Sequence, residues 1–155
     1  MRKIFTILIV FVSLSLQAFA DNATEAVNFF NKYVEAANTY SQELPSFYSP
    51  SAKIIRQVIK PDGELVNKET DVARYVSEMK KSQALAKMRK YKNAYSDISA
   101  TKINDTTYKV SALRQPTGET YKLKTYMIMQ KQAGGNWLII EEMMQTKVQM
   151  LLHAK

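Results

Sequence analysis

Cysteine is absent from this chain, histidine and tryptophan occur once each, and glycine and proline four times each. Without cysteine there is no disulfide, no thiol nucleophile and no lipid-anchoring residue. His153, near the end, is the sole histidine, which excludes a histidine-based triad and a histidine-rich metal site. Two of the four glycines, Gly134 and Gly135, sit side by side in one turn, so no phosphate-cradling loop is available. Asp62 and Glu64 flank Gly63 without the spacing of a calcium loop. The expectation is a protein with no metal and no cofactor, whose chemistry rests on carboxylates, tyrosines and cations.

What is there begins with MRKIFTILIVFVSLSLQAFA: a basic start at Arg2 and Lys3, an apolar run from Ile4 to Leu16, and an Ala-x-Ala end at Ala18 to Ala20. This reads as a signal peptide over residues 1–20, with cleavage near Ala20 and a periplasmic or secreted product. The remaining 135 residues make one domain, expected over 21–148, with 149–155 as a C-terminal tail. Twenty lysines and arginines against 14 acids then leave a formal charge of +6. An exported protein seldom meets nucleic acid, so no nucleic-acid partner is expected. Lys80 to Lys92, KKSQALAKMRKYK, holds six basic residues and no acid. It is a solvated helix end or a contact for anionic lipid at a membrane surface.

Asn22 and Glu25 have the spacing of a capping box. Ala26, Phe30, Tyr33, Ala37, Tyr40 and Leu44 then recur in steps of four and three, a long amphipathic helix that Pro45 stops. SFYSPSA reads as a short turn, and Ile- and Val-rich residues 52–60 as a strand ending at Pro61-Asp62-Gly63. Thr70 or Asp71 caps a further helix with Val72, Tyr75, Val76 and Met79 on one side. Residues 91–103, 107–115, 120–132 and 137–148 then alternate as strands joined by tight turns, an antiparallel meander.

The last strand, NWLIIEEMMQTKV, carries adjacent acids, Glu141 and Glu142, which must point to opposite faces. Pairing Gln132 with Trp137 across the Gly-Gly turn sets Met127 against Glu142 and Ile128 against Glu141. One face then holds Tyr121, Leu123, Thr125, Met127, Met129, Ile140, Glu142 and Met144. The other holds Tyr126, Ile128, Trp137, Ile139 and Glu141 with several lysines. The first is more apolar, which makes Glu142 the inward acid and Glu141 a partner for exposed lysines. A bulge would exchange the two. Tyr126, Ile128, Trp137 and Ile139 would form an exposed apolar patch suited to a homodimer or an envelope protein partner.

Three stretches carry a family resemblance: AVNFFNKYVEAANTYSQELPSFYSPSAKII, GELVNKETDVARYVSEM and YMIMQKQAGGNWLIIEEMM. Across about residues 23 to 148 the chain resembles the nuclear transport factor 2-like superfamily, which includes ketosteroid isomerase-like and SnoaL-like proteins. The resemblance implies an α+β fold, a cone of three N-terminal helices on a curved, mostly antiparallel sheet, with an apolar pocket at the open end. Catalytic relatives often carry an aspartate where this chain has Ser51, which argues against carrying over their mechanism.

Two functions follow. The first is a non-enzymatic binding protein, holding a small apolar or amphipathic ligand in the pocket or docking a protein partner on its sheet. Tyr95, Tyr108, Arg114, Tyr121, Met127, Met129 and Glu142 are the expected pocket residues; the methionines supply adaptable apolar walls and the tyrosines polar tips. The second is a cofactor-free isomerase-, cyclase- or hydrolase-like enzyme with Glu142 or Asp97 as general base, since a carboxylate in an apolar cavity suits proton transfer. An Arg114–Glu142 pair would instead make Glu142 a structural acid.

Overall fold

A computed structural model describes residues 21–153; the expected signal peptide lies outside them. Helix α1 occupies residues 21–38, and a 3-10 turn at Leu44–Phe47 leads into strand β1, Tyr48–Ile59. Strand β2, Leu65–Asp71, folds back on β1, and helix α2, Val72–Met88, follows directly. The meander is β3 (Asn93–Asn104), β4 (Thr107–Pro116), β5 (Leu123–Lys131) and β6 (Trp137–Thr146). A second 3-10 turn, Gln149–Leu152, follows β6.

The six strands form one curved sheet in the order β2-β1-β6-β5-β4-β3, antiparallel except where β1 runs parallel to β6. The expected α+β class holds, but among the described residues there are two α-helices, one of them between β2 and β3, rather than three at the N-terminus. The SFYSPSA stretch is not a turn: Tyr48 already begins β1, because Pro45 confines the irregular segment to one 3-10 turn.

Scarce glycine shapes both helix ends. Tyr40 and Lys90 take the left-handed conformation that glycine usually supplies, at φ 58° and 51°. Each closes a Schellman motif, with Ser41 N–H donating to Ala36 O and Tyr91 N–H to Ala86 O. Helix α1 therefore stops at residue 38, short of Pro45, although Leu44 at the end of the apolar stripe is still buried. Asp71 caps α2 by accepting from Arg74 N–H at 2.8 Å. Asn22 does not cap α1, since residue 21 is already helical; Asn22 and Glu25 instead receive Lys131 Nζ, and Glu25 also accepts from Trp137 Nε1.

The core lies between α1 and the inner face of the sheet. Ala26, Phe30 and Tyr33 from α1 meet Ile54, Tyr108, Val110, Met127, Met129 and Ile139, all buried. Met127 pairs with Glu142 and Ile128 with Glu141 as expected, but by a different route. Lys131, not Gln132, pairs with Trp137, and a bulge after Ile139 absorbs one residue. The two offsets cancel beyond the bulge and do not cancel before it. Trp137 and Ile139 therefore share the inner face with Glu142, at 8% and 0% exposure, and are not part of an outer apolar patch. Tyr126 remains on the outer face, donating to Glu141 at 2.7 Å with Lys109 over its ring.

Candidate functional site

Residues two apart on a strand share a face, so β6 presents Glu142 and Met144 inward, and β1 presents Ile54 and Arg56 opposite them. This brings Arg56, a cation within an Ile/Val-rich strand, beside Glu142, a buried acid of the inner face. Arg56 Nη1 lies 2.8 Å from Glu142 Oε1, an ion pair off the hydrogen-bonding direction, and Glu142 is fully buried. Tyr48, at the start of β1, donates to Glu142 Oε2, and Tyr33 from α1 reaches the same oxygen at 3.3 Å. The two phenol oxygens lie 3.0 Å apart.

Rings close the arrangement. Tyr48 packs edge-on against Tyr33 and Tyr75, and the Arg56 guanidinium stands 4.8 Å from the centre of the Tyr75 ring. Burial pushes the Tyr33 and Tyr48 phenols well above the ordinary tyrosine range, and the Glu142 charge adds to it. Tyr75 is raised by the same two causes, with Arg56 opposing. Burial works most strongly against the charge on Arg56, but the Glu142 carboxylate and the surrounding Tyr75, Tyr48 and Tyr33 phenols together outweigh it and hold the guanidinium protonated.

In front of this cluster is a cavity of about 310 Å³, bounded by the ends of α1 and β4, by α2 and by the C-terminal turn. Tyr33, Arg56, Tyr75, Tyr95, Arg114 and Met144 reach its wall; Glu142 does not, standing behind Tyr33 and Arg56. Leu151 from the C-terminal turn closes one side, and Gln149 anchors that turn to Ile59 O at 2.8 Å. A neighbouring recess of about 430 Å³ between β1, β2 and α2 shares Arg56, Tyr75, Ser82 and Leu151 with the cavity. The mouth is held by polar stitches: Asn38 and Asn93 exchange two bonds of 2.9 Å, and Tyr40 donates to Tyr91 O.

Of the expected pocket residues, Tyr95 and Arg114 line the cavity. Tyr108, Met127 and Met129 do not: they are buried in the core of the inner face with Phe30 and Trp137. Tyr121 lies in a smaller recess, of about 170 Å³, beyond Arg114. Asp97 is exposed at a β3 bulge, with φ 55° and a Ser96 hydroxyl for partner, away from the cluster. Ser51 is exposed beside Ser49. The partner of Glu142 is Arg56 and not Arg114: β1 lies beside β6, whereas Arg114 reaches β6 across β5 at Gln145 O, three residues further along the strand. The sequence reading missed Arg56, Tyr33 and Tyr75 as site residues; the available signal for Arg56 was a cation lying between Ile54-Ile55 and Val58-Ile59 in AKIIRQVIK.

No family model matches the chain, and no curated protein matches it. Solved structures do. An NTF2-like protein of unknown function from Shewanella oneidensis superposes with TM-score 0.59 at 14% identity, over 82% of this chain and 98% of its own. A proposed ketosteroid isomerase from Shewanella frigidimarina gives 0.55 at 14%, over 76% and 91%. A proposed scytalone dehydratase from Novosphingobium aromaticivorans gives 0.55 at 12%, over 84% and 83%. The fold is the nuclear transport factor 2-like fold, which carries enzymes and proteins of unknown function alike.

Proposed function

We propose that this is an exported, non-enzymatic binding protein that holds a small amphipathic molecule in the cavity in front of Tyr33 and Arg56. The observation that carries this reading is the state of Glu142. Both its oxygens are engaged, by Arg56 on one side and by Tyr48 and Tyr33 on the other, and it contributes nothing to the cavity wall. A general base must reach the proton it abstracts. Here the carboxylate fixes the orientation of the groups that do face the cavity, whose walls pair methionine and alanine surfaces with phenol tips. The N-terminal pattern of the sequence supports export. Protein docking on the outer sheet face has less support, since Trp137 and Ile139 are in the core.

Native mass spectrometry of gently purified protein is expected to show a bound small mass that Met144→Trp, which fills the cavity, removes. Protein that carries no adduct and does not bind the neutral dye N-phenylnaphthylamine would overturn the reading. The enzymatic alternative, Glu142 as general base, draws on the convergence of two phenols on that carboxylate. It requires turnover that Glu142→Gln abolishes while the ligand stays bound.

A further inference from the structure

Among the described residues, Arg114 is a buried cation without a counter-charge. It is 7% exposed and lines the cavity at the end of β4. Its contacts are all neutral: Nη1 donates to Asn93 Oδ1 at 2.8 Å and approaches the Tyr91 hydroxyl at 3.5 Å, and Nη2 donates to Gln145 O at 2.8 Å. Its Nε–H has no acceptor among the described residues. Glu119 shares the smaller recess on the far side but makes no ion pair with it, and among the described residues no acid lines the cavity itself. Glu142 is already committed to Arg56. The site therefore sums two guanidiniums against one carboxylate.

Folded proteins rarely leave a charge so far from water unpaired, because desolvation is recovered only when an opposite charge or a full set of acceptors replaces the lost hydration. Arg114 has neither in full. The same cavity has apolar surface from Met144 of β6, Met79 of α2 and Leu151 of the C-terminal turn. A ligand that satisfied both would carry one anionic oxygen group and an apolar body of a size to fill about 310 Å³.

We infer that the ligand is a small amphipathic monoanion, a carboxylate or its analogue, whose charged group pairs with Arg114 and whose apolar body lies against Met79 and Met144. This rests on the cavity being a ligand site, so the test separates the two claims. Anilinonaphthalene sulfonate and N-phenylnaphthylamine share an arylamine body and differ in the sulfonate. The anionic dye should bind at least about tenfold more tightly, the worth of one charge-assisted contact. Arg114→Gln should bring the ratio close to one, chiefly by weakening the anionic dye. Because that variant removes a buried side chain, Asn93→Asp provides the second arm: it places a carboxylate at the atom that already accepts from Nη1, pairs the guanidinium in place, and should also erase the preference. Met144→Trp should abolish both dyes. A preference that survives Asn93→Asp, equal binding of the two dyes, or anionic binding that survives Met144→Trp would overturn the inference while leaving neutral-dye binding to judge the cavity. Loss of both dyes from the unaltered protein would remove the binding reading itself.

Discussion

Tyr48 donates its phenol hydrogen to Glu142 across 94 positions of sequence, tying the first residue of β1 to the middle of β6. The bond is fully buried, and its acceptor carries charge, so its removal strands part of a desolvated carboxylate. Tyr48→Phe is expected to cost about 1.5–3 kcal/mol in urea denaturation, because Tyr33 still reaches the same oxygen. Adding Tyr33→Phe should cost more than the sum of the two single changes, since each phenol covers for the other.

The Arg56–Glu142 pair should show the opposite non-additivity. Arg56→Met leaves Glu142 buried with one oxygen unpaired, and a loss of about 3–5 kcal/mol is expected, the usual consequence of removing one partner of a buried pair. Combining it with Glu142→Leu should recover much of that loss, because no charge is then left in the core. A double-mutant cycle measured by denaturation checks this. A double variant as unstable as Arg56→Met would show that the pair's worth lies in packing.

Alkaline pH should unfold the protein from within this cluster. Tyr33, Tyr48, Tyr75 and Tyr95 all have folded values raised above 10.0, burial being the first cause of each. Above that pH the unfolded chain loses phenol protons that the folded chain keeps, so the unfolded state binds fewer protons and stability falls as pH rises. The stability is fully present below about pH 10 and is lost above it. Tyrosinate absorbance should therefore show exposed tyrosines titrating first, Tyr126 near 12, and the buried four only with the loss of folded structure.

Lys90→Gly should stabilise the protein by about 0.5–1 kcal/mol, read as a rise in melting temperature. Lys90 holds φ 51° at the end of α2, a conformation that costs a side-chain-bearing residue and suits glycine. Tyr40, its counterpart after α1, is a poorer site for the same change, because its hydroxyl also bonds Tyr91 O.

The sequence was most legible where periodicity dominates. Steps of three and four placed Ala26, Phe30 and Tyr33 on the buried stripe of α1, and Val72, Tyr75, Val76 and Met79 on the packed side of α2. Period-two alternation placed the four strands of the meander within a few residues of their ends. It failed at Trp137 and Ile139, because one inserted residue in β6 shifts the face of everything before it, and no local pattern marks where a bulge falls. The absence of cysteine and the scarcity of histidine and glycine bounded the chemistry to carboxylates, phenols and guanidiniums before any fold was known.

What the sequence determined by itself was the inventory: which residues face inward along each element and which chemistries are open to them. Which of those residues meet was decided by tertiary structure. The parallel pairing of β1 with β6, the first and last strands in sequence, puts Arg56 beside Glu142. The same arrangement brings Arg114 to β6 only at the neutral Gln145 O, and no acid among the described residues pairs with it. Sheet order is a long-range property, set by how the whole inner face closes over α1, and local sequence spacing carries no record of it.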